Sequence, residues 1–261
     1  MAAGLGRVDG DLAHDFRKDS AISGSVKTEG IVLRSIRYGE ADRILHLYTP
    51  TRGRLSAIAK GVRKAKSRFG GRLEPFFRLD LVLYEGRSDM LTVTSVETVA
   101  AHPRLREHGG SLDGAARACE AVARIFDDGE PHAGVYHLLA NELALLDRAP
   151  DRAGRPNALA FRLKLLLAAG FAPQLAGCAS CGEREHLVGF SGAAGGVVCG
   201  ACEANAFPLD EEAHGFMVAA LGRSLADTPD ASPRALAQAE RAITDTLEHH
   251  AHLRLRPVGS R

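Results

Sequence analysis

At His102-Pro103 the hydrophobic period of the chain changes from two to between three and four, and this switch limits the fold more than any other feature. Upstream lie five short segments rich in Val, Ile, Leu and Thr, at residues 27–37, 42–49, 53–61, 79–86 and 90–98, which read as strands. Alternation is clearest in the last two. Leu79, Leu81 and Leu83 oppose Asp80, Val82 and Tyr84, while Leu91 and Val93 oppose Thr92 and Thr94, so each segment offers one face to a core. Turn signals separate the segments at Tyr38-Gly39-Glu40-Ala41-Asp42, Thr49-Pro50-Thr51-Arg52-Gly53 and Glu85-Gly86-Arg87-Ser88-Asp89. Five strands in so short a span suit a small OB-type barrel, with an SH3-like barrel as the alternative.

Downstream, Leu112, Ala115, Ala116, Cys119, Val122, Ala123 and Phe126 recur at helical spacing, and Val135, Leu138, Leu139, Leu143 and Leu146 repeat the pattern. A third helix is expected to open near Pro156 and stop at Gly170, a fourth to cover 209–226, and a last to start at Ser232-Pro233 and reach about residue 252. The expected class is therefore α+β and multidomain. Residues 1–25 mix Gly, Ala, Ser and charge without a period and are expected to be a disordered extension. No apolar run is long enough for a bilayer span or a signal core, which places the chain in the cytoplasm with no membrane partner.

Within the helical half, Cys178-Ala-Ser-Cys181 and Cys199-Gly-Ala-Cys202 are separated by seventeen residues, a zinc-ribbon spacing. A two-residue gap lets both thiolates of a pair reach one ion, and Gly182 and Gly200 suit the turn of each knuckle. The stretch between the pairs has the length of a short hairpin. Four sulfur ligands leave no position for water, so Zn2+ held by Cys178, Cys181, Cys199 and Cys202 would be structural. A thioredoxin-like redox pair and chance clustering are the competing readings. His186 could exchange in as a ligand, but a complete quartet makes that unnecessary; Cys119 reads as a small buried residue.

The formal charge of +1 conceals segregation, for residues 26–87 hold fourteen Lys or Arg against six acids. The densest stretch spans residues 60–72, with Lys60, Arg63, Lys64, Lys66, Arg68 and Arg72 interleaved with Gly and with Phe69. Such a segment can neutralise successive phosphates, and Arg34 and Arg37 would extend it along the first strand. Phe69 could stack on a base, although a core position suits it better. No recognition helix is present, which points to backbone binding with little sequence preference. No Walker A loop, Gly-x-Ser-x-Gly elbow, His-Glu-x-x-His or dinucleotide fingerprint occurs, so a binding protein is favoured over an enzyme. The group His249, His250 and His252 reads as a solvated helix end. A protein-interaction scaffold, a metalloenzyme and an RNA-binding OB protein remain as rivals.

Thr28-Glu-Gly-Ile-Val-Leu-Arg34, Tyr38-Gly-Glu-Ala-Asp-Arg43, Lys60-Gly-Val-Arg-Lys and Leu73-Glu-Pro-Phe76 together resemble the N-terminal half of RecO recombination mediators, and the likeness continues through the helices and the cysteines to about residue 255. The resemblance implies an OB barrel at 26–103, a helical domain at 104–176 and 204–255, and a zinc module at 177–203 inserted in it. It implies a non-enzymatic DNA repair protein that binds single- and double-stranded DNA and anneals strands. It further implies association with RecR and with the C-terminal tail of single-stranded-DNA-binding protein, help in loading RecA, and a nucleoid-associated location. DNA contact would fall on Arg34, Arg37, Lys60, Arg63, Lys64, Lys66, Arg68 and Arg72.

Overall fold

The computed structural model describes residues 24–63, 67, 69, 71–86, 88 and 90–259. Five strands form first: β1 Gly24–Tyr38, β2 Asp42–Thr49, β3 Gly53–Ala59, β4 Arg78–Glu85 and β5 Leu91–Ala100. They close into a barrel of order β1-β2-β3-β5-β4, with a short parallel contact between β3 and β5 and β1 returning to β4. This order is OB-type and sets aside the SH3-like alternative. β1 serves two neighbours: residues 24–31 pair with β4 and residues 31–38 with β2, with an irregularity between Val32 and Arg34. The strand begins at Gly24, inside the stretch expected to be an extension, whose remaining residues lie outside those described.

The barrel core is the one that alternation picks out. Leu79, Leu81, Leu83, Leu91 and Val93 fill it together with Val32, Leu45, Leu47, Ala57 and Leu73. Phe69 joins them at 1% exposure, so the base-stacking role considered for it is withdrawn: its ring is a core side chain.

The helical body consists of α1 Gly109–Ile125, α2 Ala133–Arg148, α3 Arg155–Ala168, α4 Glu211–Gly222 and α5 Pro233–Ala251. Ser232 caps α5 by accepting from the Ala235 N–H, with Pro233 in the first turn, and Asp210 caps α4 by accepting from Ala213. Neighbouring residues of β1 face two different cores. Val32 points into the barrel, whereas Ile31 and Leu33, with Tyr48 and Phe76, belong to the large cluster that includes Phe126, Val135 and Tyr136. Tyr48 meets Phe126 edge-on, with ring centroids 6.1 Å apart. At the same seam Tyr136 donates to Glu29 at 2.7 Å, and Arg78 forms an ion pair with Glu29 at 2.8 Å. Gly53 completes the junction with a left-handed φ of 61°; a Cβ there would collide with the Glu130 carbonyl.

Between α3 and α4 the chain forms a small sheet of β6 Leu187–Ser191, β7 Gly196–Cys199 and β8 Phe207–Pro208, in the order β7-β6-β8. The hairpin is as expected, but β8 carries the sheet beyond the 177–203 stretch. Phe190, Val197 and Phe207 pack into the helical core, while the adjacent Val198 turns toward Cys178 and Cys199. His250 is not simply solvated: its Nε2 lies 3.1 Å from the Gly192 carbonyl and its ring stacks on Phe171, tying α5 to the hairpin. Among the described residues, no helix is long and apolar enough to cross a membrane.

Candidate nucleic-acid interface and metal centre

Five of the expected DNA contacts fall among the described residues, and all five, Arg34, Arg37, Lys60, Arg63 and Arg72, are exposed. Lys64, Lys66 and Arg68 lie outside the described residues. None of the five forms an ion pair with another described residue, whereas Arg43 is paired with Glu74 at 3.0 Å, Arg54 with Asp128 at 2.5 Å and Arg78 with Glu29. The barrel's cations thus divide into a group that braces the fold and a group left to solvent. The second group is the one that can neutralise a polyanion without first breaking a bond.

The start of the basic segment is anchored on the β1–β2 turn. Asp42 accepts from the Gly61 N–H at 2.8 Å, and the Arg63 N–H donates to the Ala41 carbonyl at 3.0 Å. These contacts bring Gly61 and Arg63 to the turn that follows β1, although the two segments are distant in sequence. Arg34 lies further along β1 and lines a cleft of about 700 Å³ between barrel and helical body, with His46, Arg54, Arg124 and Arg256. Burial, with Arg34 nearby, lowers the pKa of His46 below its ordinary value. Arg124 and Arg256, which only folding brings to the cleft and which sequence reading therefore missed, are both paired there with Glu120 and belong with the cations that brace the fold.

All four cysteines of the quartet converge, their sulfurs within 4.8 Å of one another. A tetrahedral ion with sulfur at about 2.3 Å requires S–S edges of about 3.8 Å, and the Cys181 and Cys199 sulfurs are 3.7 Å apart. That separation is far beyond a disulfide, and all five cysteines are free. The knuckles are built by backbone bonds: Gly182 N–H to Cys178 C=O at 2.8 Å and Cys202 N–H to Cys199 C=O at 2.9 Å. Gly182 has a φ of 82°, as its turn requires, whereas Gly200 does not have a left-handed φ. Backbone amides, that of Cys199 foremost, hold the Cys178 thiol down at about 6, while sharing hydrogen with the sulfurs of Cys181 and Cys199 pushes Cys202 up to about 12. His186 is exposed and stands apart from the cluster. Cys119 is buried in the helical core, its thiol pushed up to about 12 by desolvation.

Residues 23–102 match the family model described as recombination protein O N terminal, and residues 108–257 match recombination protein O C terminal. The chain belongs to the RecO family. It is 40% identical to the DNA repair protein RecO of Anaeromyxobacter dehalogenans strain 2CP-C over 241 residues, covering 88% of this chain and 93% of that protein. Over 184 residues it is 42% identical to the RecO protein of Rubrobacter xylanophilus, covering 70% of this chain and 73% of that one. The barrel and its exposed cations lie in the N-terminal RecO match, and the cysteine cluster in the C-terminal match. No catalytic activity attaches to either description.

Proposed function

We propose that this RecO protein is a non-enzymatic recombination mediator that grips DNA electrostatically along its barrel. The observation that carries the reading is the set of exposed cations, Arg34, Arg37, Lys60, Arg63 and Arg72, without acidic partners among the described residues, on an OB-type barrel. Lys64, Lys66 and Arg68 complete the proposed contact set. Each cation neutralises one phosphate and releases its counterion, so binding is sensitive to salt and nearly indifferent to sequence. Strand annealing follows from holding backbones while leaving base edges free. In this reading the barrel occupies residues 26–103, the helical domain 104–176 and 204–255, and the metal module 177–203. The helical and metal parts recruit RecR and the tail of single-stranded-DNA-binding protein, and through them RecA is loaded, in the cytoplasm at the nucleoid.

For the metal, the closed set of four thiolates fits structural Zn2+ held by Cys178, Cys181, Cys199 and Cys202. Bound there, zinc would cross-link the two knuckles and neutralise thiolate charge. Val198, Leu187 and Ala206 pack around the sulfurs and keep that corner of the sheet against the helical body.

Fluorescence anisotropy of a labelled single-stranded oligonucleotide across a salt series tests the DNA reading. Changing Arg63, Lys64, Lys66 and Arg68 together to Ala should flatten the slope of log K against log salt by about 3, at roughly 0.7 per single-strand contact. An unchanged slope would move the site elsewhere, and no wild-type binding at low salt would favour a protein-interaction scaffold.

A further inference from the structure

The outer face of β1, β2 and β3 carries an aromatic side chain that charge patterning does not single out. Leu45 and Leu47 of β2 and Ala57 and Ala59 of β3 point into the barrel, so the alternate positions on both strands face outward. Strand register extends this outward set to β1: Arg34 is opposite His46, Ile36 opposite Ile44 and Tyr38 opposite Asp42, and Ile44 is opposite Ile58 on β3. A row of three isoleucines, Ile36, Ile44 and Ile58, each only partly buried, therefore crosses the three strands. Arg34 lies on one side of it and Tyr38 on the other.

Tyr38 is 54% exposed. Among the described residues its ring has no ring, cation or hydrogen-bond contact, and more than half of its surface is open to solvent. Its backbone is tethered, because the turn that follows it is held to the basic segment by the Asp42–Gly61 and Arg63–Ala41 bonds. An aromatic face thus stands in water next to the turn that anchors Gly61 and Arg63 of the basic segment, at the edge of an apolar strip. Stacking of a nucleobase on such a ring is tolerant of base identity, as the backbone binding requires. Phe69 cannot supply this face, because its ring fills the barrel.

We propose that Tyr38 stacks on an unpaired base of single-stranded DNA, that the Ile36, Ile44 and Ile58 row forms the apolar floor for neighbouring bases, and that the barrel therefore prefers single strands to duplex. This rests on the DNA-binding reading above. In a duplex the base faces are covered by their neighbours, so only the phosphate contacts remain available to it.

The test uses the full chain as wild type, Tyr38→Ala and Tyr38→Phe, with a labelled single strand, a duplex of equal length, and a single strand containing 2-aminopurine. Tyr38→Ala should lose roughly five- to 150-fold in single-strand affinity, the span of stacking on one base, with its salt slope and duplex affinity unchanged. Tyr38→Phe should bind as wild type, and quenching of 2-aminopurine should persist in Tyr38→Phe but not in Tyr38→Ala. Single-strand affinity of Tyr38→Ala within twofold of wild type, or an equal loss on duplex, would overturn the stacking role while leaving phosphate binding intact. Failure of the wild type to bind any single strand at low salt would instead remove the DNA-binding reading, and this inference with it.

Discussion

Glu142 offers a test of the packing in which the perturbation is a single atom. It lies in α2, 1% exposed; its Oε1 accepts from Asn157 Nδ2 at 2.7 Å and its Oε2 has no partner among the described residues. Burial outweighs the Asn157 bond and raises its pKa from 4.5 to about 8. The folded protein therefore keeps a proton that the unfolded chain releases above pH 4.5, so the contribution of Glu142 to stability is full below that value and declines until the folded carboxyl ionises near 8. The slope approaches 1.4 kcal/mol per pH unit, about 5 kcal/mol at most across the window. Glu142→Gln keeps the size and an acceptor for Asn157 but cannot ionise. Urea unfolding followed by circular dichroism at pH 5, 6, 7 and 8 should show the two proteins converging in stability at the acid end, with the variant gaining several kcal/mol by pH 8. Other titrating groups, the cysteines included, cancel in the difference. Parallel stability curves for the two proteins would refute the reasoning, because they would mean that Glu142 already ionises in the fold with a compensating partner.

Removing the metal, by chelation or by Cys199→Ser, should lower Tm by about 10 °C through a loss of a few kcal/mol, and elemental analysis of the wild type should return one zinc per chain; a stoichiometry near zero with unchanged Tm would rule out a structural ion. Gly53→Ala should destabilise the fold by about 2 kcal/mol or more, since the residue has a φ of 61° and an added Cβ meets the Glu130 carbonyl; a Tm equal to wild type would show that this contact is dispensable.

Strands and helices were legible in the sequence because each has a face turned to a core, and a face repeats along the chain. The long first strand is longer than its hydrophobic pattern suggests, since Gly24 and Ser25 are recruited by hydrogen bonding to Glu85 and Tyr84 of β4, which no local pattern records. The cysteine quartet was legible because two-residue gaps encode the knuckles directly. Partners across long separations were not. Glu29 shows no partner in sequence, yet Arg78 and Tyr136 together hold its carboxyl below the ordinary range, Tyr136 contributing most. Likewise Asp42 secures Gly61, and Glu74 pairs with Arg43. Phe69 illustrates the opposite limit: a stretch of cations and glycines has no period, so nothing in it tells an inward ring from an outward one.

The same strand explains why barrel and helical body act as one platform. Ile31, Leu33, Tyr48 and Phe76 leave the barrel wall to enter the helical core, and burying each of these side chains contributes about 1.5–3 kcal/mol. Pivoting the barrel would expose them and break the Tyr136–Glu29 hydrogen bond, along with the Arg54–Asp128 pair. Beyond Leu33 the strand carries Arg34, Ile36 and Tyr38 on its outer face and Arg37 on the other, the positions proposed to meet DNA. A strand of DNA held there would keep a constant position relative to α1 and α2, so that partners docked on the helical body would meet it at a distance set by the fold, not by a flexible tether.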